Sequence, residues 1–206
     1  FTSTTIKSAE ARVLCAAAQP APWTVNPVAM VGLGDDQVEA VAAICAGRFQ
    51  VATVIGPAGA GKTTMLKAAT ESYRQAQRPV TVLTLSAAAA RVVTEETGLP
   101  ASTIAAWRVG QVRLPRHGLV IIDEASMVPT LTLDQLIRVA SAYDCRIAMV
   151  GDYAQMGAPE AGGLLRDLAG LPSATQMTSV RRFHQPWERI SSTQLRHRDR
   201  AVADVY

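Results

Sequence analysis

The sequence predicts a doubly wound α/β domain, and three observations carry that expectation. Apolar runs of strand length recur at 49–55, 79–85, 118–124 and 145–151. They read as continuous apolar runs rather than alternating ones, as parallel strands covered on both faces should. Segments of helical period separate them, and such alternation builds a mostly parallel sheet with helices on both faces. A glycine-rich turn also follows the first run directly.

Each element has its own local warrant. Residues 3–18, "STTIKSAEARVLCAAA", read as a helix begun by Ser3 or Thr4, with Ile6, Ala9, Val13 and Ala16 on one stripe. "QPAPWTVNP" (19–27) holds three prolines and reads as a connector. Asp35 and Asp36 open a second helix, with Val38, Val41, Ile44 and Cys45 at helical spacing and an end near Gly47. "FQVATVI" (49–55) is a buried strand, followed by a helix from about Gly61 to Gln77. "PVTVLTL" (79–85) leads into "SAAAARVVTEETG", whose Gly98 stands where a helix-ending glycine belongs. "GLVIIDE" (118–124), "TLDQLIRVASAY" (132–143) and "CRIAMVG" (145–151) complete the alternation. Residues 178–206 are polar, basic and helical in pattern, and break the rhythm.

Bulk properties narrow the class. With 206 residues, 49% hydrophobic and 18% charged, the chain has enough apolar mass for one good-sized core. It begins with Phe1 rather than Met, which suggests a piece of a longer protein. No apolar stretch approaches a membrane span. Cys15, Cys45 and Cys145 lie far apart, without CxxC spacing, and read as small buried residues in a reducing cytoplasm. The net charge of +3 is uneven: residues 181–200 hold six arginines against Glu188 and Asp199. Such a tail suits a polyanion and equally a solvated helix face.

The chemistry concentrates at strand ends. In "GPAGAGKTT" (56–64), Gly56, Gly61, Lys62 and Thr63 fit G-x-x-x-x-G-K-[ST] at every required position. Backbone N–H groups of Gly56, Pro57, Ala58, Gly59, Ala60 and Gly61, proline excepted, can point at phosphate oxygens, and the following helix adds its positive end. Lys62 would reach the β- and γ-phosphates, the Thr63 hydroxyl would ligate Mg²⁺, and Thr64 closes the loop. A metal-bound triphosphate needs another carboxylate and a group to position water. "LVIIDEA" supplies Asp123 for the metal and Glu124 for the water. An Asp-Glu pair alone often caps a helix; beside a phosphate loop it reads as part of the site. Beyond the next strand, Gln155 could bond the γ-phosphate, although taken alone it reads better as a loop-surface residue, while Asp152 fixes the turn. Arg181 and Arg182 offer a guanidinium for charge developing in phosphoryl transfer. On pattern alone, a surface arginine pair reads as well.

The order of these pieces resembles the motif series of superfamily 1 DNA helicases. The stretches are "LGDDQ" (33–37), "GPAGAGKTT", "TLSAAAARVV" (84–93), "STIAAW" (102–107), "IIDEAS" (121–126), "GDYAQMGAPEAGG" (151–163) and "TSVRRF" (178–183). The nearest resemblance is to the branch with the exonuclease V alpha subunit and the helicase part of conjugative relaxases. "GDYAQMGAPEAGGLLRDLA", "RRFHQPWER" and the opening "FTSTTIKSAEARVLCAAA" look most like the relaxase-helicases.

The resemblance implies a RecA-like P-loop NTPase domain over 31–177, after an N-terminal helical segment and connector over 1–30 and before the start of a second helicase domain over 178–206. It implies ATP and Mg²⁺ as cofactors, and single-stranded DNA and a second RecA-like domain of the same longer chain as partners. It implies no membrane, and a bacterial cytoplasmic setting. Gln37 matches the glutamine that reads the adenine edge, Gln155 the link between γ-phosphate and DNA, and Arg182 the arginine finger. Phe183 stands where the family usually has glutamine, and so Arg181 remains the alternative finger. Ser86 and Thr103 match contacts to DNA phosphates, although "TLS" lacks the proline common in relatives. Trp107 offers a ring for base stacking; packing in a core is the commoner use. The relaxase tyrosine and histidine cluster have no counterpart among His117, His184, His197 and the four tyrosines. The expected function is therefore the first motor domain of a 5′–3′ helicase, itself part of a conjugative relaxase. The alternatives are an exonuclease V alpha-like repair helicase and a non-motor binding module with a vestigial ATP site.

Overall fold

Burial along the strands decides the architecture. In the computed structural model, which describes residues 3–154 and 164–179, every residue of Val51–Ile55 (β1), Leu119–Ile122 (β4) and Arg146–Gly151 (β5) is buried. Val80–Thr84 (β2) is buried over its second half. Two three-residue strands, Ala101–Thr103 (β3) and Ala174–Gln176 (β6), border these four. All pairings are parallel, in the order β3-β2-β4-β5-β1-β6. The four expected strands are all present, and the two borders are additional.

Five helices follow their expected positions closely, and two short ones, at 104–108 and 164–169, are additional. They are Thr4–Ala18 (α1), Asp35–Ala46 (α2), Lys62–Gln75 (α3), Ala87–Thr97 (α4), Ile104–Arg108 (α5), Thr130–Ala142 (α6) and Leu164–Ala169 (α7). Helix α1 starts because the Ser3 hydroxyl accepts the Ile6 N–H. Helix α4 ends at Gly98, whose φ of 73° is the left-handed conformation that glycine adopts without a Cβ penalty. Among the described residues no helix is long and apolar enough to cross a membrane.

Two apolar clusters occupy the two faces of the sheet. One joins α2 and α3 to β1, β2, β4 and β5 through Ile44, Met65, Tyr73 and Val150. The other joins α1, α6 and α7 to the opposite face and includes Val13, Leu133, Ile137 and Leu168. Helix α1 is fastened to α6 by a bidentate pair, with Arg12 Nε and Nη2 at 2.8 and 2.7 Å from the Asp134 carboxylate. The opening helix thus shares a core with the sheet. Trp107 is buried in that same cluster, in agreement with packing rather than stacking. Trp107→Ala is expected to cost about 3–5 kcal/mol, as other large-to-small changes of a core ring do; urea unfolding measures it. Cys45 and Cys145 are buried as expected, whereas Cys15 is exposed, because its position on α1 faces away from α6. Burial pushes the Cys45 thiol up to about 11.

One buried residue answers to no expectation. Arg146 opens β5 at 1% exposure, with no carboxylate partner among the described residues. Its guanidinium donates to the carbonyls of Ala43 (3.1 Å), Ile44 (3.0 Å), Gly47 (2.8 Å) and Trp23 (3.0 Å). Three of these carbonyls lie at the C-terminal end of α2, where Ala43 O also accepts the Gly47 N–H and a cation suits the helix dipole. The Tyr73 hydroxyl donates to Ile44 O from the other side.

Candidate nucleotide site

The carboxyl ends of β1, β5 and β4 lie side by side, and the chemistry-bearing turns leave from them. Crevices at these ends are where open α/β sheets bind ligands. Gly56 leaves β1, its N–H donating to Gly151 O of β5 at 3.0 Å. The loop then turns through Gly59 (φ 79°) and Gly61 (φ 82°), conformations that only glycine adopts freely. Helix α3 begins at Lys62 with no side-chain cap on its first N–H groups. Its start is therefore open to an anion. Lys62 Nζ donates to Gly56 O (3.0 Å) and Pro57 O (3.3 Å), holding the ammonium over the loop. Thr63 is half-buried and Thr64 exposed on the first turn of α3. Backbone amides, an ammonium and a hydroxyl around one uncapped helix start fit a metal-bound polyphosphate.

Asp123 and Glu124 follow β4, one strand beyond β5 and so roughly 10 Å from the loop strand. Asp123 Oδ1 accepts the Glu124 N–H at 3.0 Å. Glu124 has φ 52° and ψ 40°, a left-handed backbone that a non-glycine residue holds only when its surroundings impose it. Burial raises both carboxyls above their ordinary values. At Asp123 the bond from Glu124 and the Lys62 charge oppose the rise. At Glu124 Lys62 opposes it, while Asp123 and Asp152 reinforce it. Lys62 thus acts on both acids, and the two motifs converge.

Those shifts fix a sign. A carboxyl raised in the folded state binds its proton more tightly there. Its stabilising contribution is present below the unfolded value of 3.8 and lost as pH rises through the folded one. Ionised Asp123 therefore costs stability at neutral pH. Asp123→Asn is expected to melt above the wild type at pH 7, with the gap closing toward pH 4; thermal scans across that range measure it. A variant less stable than wild type at pH 7 would contradict the assignment.

The remaining sequence candidates divide. Gln37 is buried; its Oε1 accepts the Gly34 N–H and its Nε2 donates to Gly61 O, each at 3.0 Å. Its amide thus ties the start of α2 to the phosphate loop, and reading a base requires exchanging one of these bonds. Asp152 Oδ1 accepts the Ala154 N–H at 3.0 Å, fixing the turn as expected, and its charge also reaches Glu124, which the sequence did not reveal. Ser86 and Thr103 are the N-caps of α4 and α5, accepting the Ala89 and Ala106 N–H groups. They stand at neighbouring strand tips, since Thr84 pairs with Thr103. Gln155, Arg181 and Arg182 lie outside the described residues. The last described ones before the arginines, Thr178 and Ser179, donate their N–H groups to Asp36 Oδ2 beside Gln37.

A family described as the AAA domain matches residues 32–206. The chain belongs to this family. Conjugal transfer protein TraA of Rhizobium radiobacter is 33% identical to it over 167 residues, covering 79% of this chain and 15% of that protein. ATP-dependent RecD2 DNA helicase of Deinococcus radiodurans is 29% identical over 168 residues, covering 78% and 23%. The AAA domain thus spans under a quarter of the length of either relative. Pif1 helicase from Candida albicans superposes with a TM-score of 0.54 at 17% identity, covering 81% of this chain and 44% of that one, a likeness of fold. The helicase type read from the ordered motifs agrees with these relatives, and the parallel α/β fold with the Pif1 neighbour. Membership implies nucleotide use by the AAA domain.

Proposed function

We propose that this AAA domain is the first ATP-binding motor domain of a superfamily 1 DNA helicase, within a conjugative relaxase that moves plasmid DNA in the bacterial cytoplasm. The convergence of Lys62 with Asp123 and Glu124 at one end of the sheet carries the reading. ATP is the substrate, its phosphates on the amides of residues 56–64 and on Lys62. Mg²⁺, held by Thr63 and Asp123, would neutralise phosphate charge when bound. Glu124 accepts the proton of the water that attacks the γ-phosphorus, and ADP leaves. Gln155 and Arg182 complete the phosphate contacts, and Gln37 exchanges a loop bond for the adenine edge. Ser86 and Thr103 hold phosphates of single-stranded DNA, and a second RecA-like domain, beginning near 178, closes the pocket. Closure around the nucleotide shifts the loops that grip DNA, and the direction of stepping is 5′ to 3′, as the helicase resemblance implies.

The intact protein is expected to hydrolyse ATP faster when single-stranded DNA is added, and to displace a strand from a duplex with a 5′ overhang. Glu124→Gln is expected to lower turnover by on the order of 100-fold or more while retaining nucleotide binding. Absence of DNA-stimulated turnover would leave a non-motor module instead. Residues 1–206 alone are expected to hydrolyse ATP slowly and not to unwind duplex, since half the pocket is contributed elsewhere.

A further inference from the structure

The phosphate loop, Ser86 and Thr103 all lie at the carboxyl end of the sheet, and the amino end carries a different surface. Three arginines there lie over aromatic rings: Arg78 over Trp23 at 4.1 Å, Arg116 over Tyr143 at 4.5 Å and Arg48 over Phe49 at 4.6 Å from the ring centroids. They follow the strand order. Arg78 precedes β2, Arg116 precedes β4, Tyr143 precedes β5, and Arg48 with Phe49 precedes β1; these four strands are consecutive in the sheet. Bonds between the loops make the strip continuous. Arg78 Nη1 donates to His117 O (3.0 Å), the His117 N–H to Tyr143 O (2.9 Å) and Trp23 Nε1 to Asp144 O (2.9 Å). Gln50, next to Phe49, donates through Nε2 to Cys145 O (3.1 Å). Three inter-strand steps give a length of roughly 15 Å. The loops at 47–50, 76–79, 113–118 and 143–145 hold Arg48, Arg78, Arg113 and Arg116 against one acid, Asp144.

Beyond Phe49 the strip ends in a cavity of about 210 Å³ under β1 and β6, bounded by Gly47, Arg48, Phe49, Pro172 and Ser173. Ser173 is 6% exposed, and its hydroxyl has no hydrogen-bond partner among the described residues. We propose that this amino end of the sheet is a second contact surface for single-stranded nucleic acid, on the side away from the nucleotide site. The stacked arginines hold successive phosphates, and the cavity beside Phe49 receives a base. A guanidinium held over a ring loses little further freedom on binding, and Arg78, with Nη1 on His117 O, still has its other N–H groups for a phosphate. An acidic peptide would use the charges and leave the cavity idle, whereas a nucleotide uses both. The inference rests on single-stranded DNA being the substrate of the intact protein.

The test compares the intact protein with its Arg48→Gln/Arg78→Gln/Arg116→Gln variant, titrated against fluorescein-labelled oligo-dT without nucleotide at several salt concentrations. The variant is expected to bind about tenfold more weakly, and the slope of log K against log salt to shrink by about 2, the loss of three phosphate contacts on a single strand. A fluorescent ATP analogue is expected to bind both proteins alike, confirming that the variant folds. Unchanged oligo-dT affinity and slope would overturn the proposal while leaving the motor reading intact. Failure of the wild type to bind oligo-dT at all would remove both. Polyglutamate binding that requires the arginines, with DNA binding unaffected, would assign the surface to an acidic protein and also overturn it. Independently of folding, 4-thiothymidine crosslinking of the wild type is expected to mark peptides containing Trp23, Phe49 or Tyr143, and crosslinks confined to the Ser86 and Thr103 regions would count against it.

Discussion

Replacing Lys62 with alanine is expected to weaken nucleotide binding on the order of 100-fold, about 2.7 kcal/mol, in a fluorescent-ATP titration. The ammonium already sits over the loop, bound to Gly56 O and Pro57 O, so little has to rearrange for it to meet a phosphate. Its removal takes away the one charge that opposes the rise at both Asp123 and Glu124, and both carboxyls should then move higher. Two readouts therefore change together: affinity falls, and any residual ATP turnover is lost on acidification at a higher pH than in wild type. Unchanged affinity would take the phosphate loop out of the argument. A changed affinity with an unchanged acid limb would mean that the lysine does not act on the acids.

The largest effect on stability is expected far from that loop. Arg146→Met keeps much of the side chain's volume and removes all four bonds to Ala43, Ile44, Gly47 and Trp23. Ile44 O keeps the Tyr73 hydroxyl and Ala43 O keeps the Gly47 N–H, while Gly47 O and Trp23 O lose this partner in a dry interior. Leaving buried polar groups unpaired costs about 1–3 kcal/mol each before relaxation, and about 3–5 kcal/mol in total is expected. Urea unfolding followed by far-UV circular dichroism measures it, and the m-value should stay unchanged. Arg146→Lys, with one donor group in place of three, should recover only part of the loss. A cost below about 1 kcal/mol would show that water replaces the guanidinium.

These two residues also mark what a reader of the chain can and cannot see. Lys62 is legible because its role depends on neighbours in sequence: the spacing from Gly56, the strand before and the helix after. Asp123 and Glu124 are legible for the same reason, and the four long strands declare themselves by unbroken apolar runs. Arg146 carries no such mark. As the second residue of "CRIAMVG" it reads as a polar strand boundary, and its partners lie about a hundred residues earlier in the chain. Strands β3 and β6 escaped because three residues make no run, and β3 is only half-buried. Helix α5 is too short to show a period. Gln37 is singled out only by the resemblance, and no spacing shows that its amide is already committed on both sides.

The brevity of β3 and β6 carries a consequence for how the sheet meets other chains. A sheet whose borders were as long and apolar as its centre would offer a free rail of N–H and C=O groups on which other chains could polymerise. Among the described residues each rim is three residues long, β3 is half-buried throughout, and the middle of β6 alone is buried. Such a rim offers too little pairing to seed a fibre, so the interior strands can stay strongly hydrophobic without making the molecule sticky.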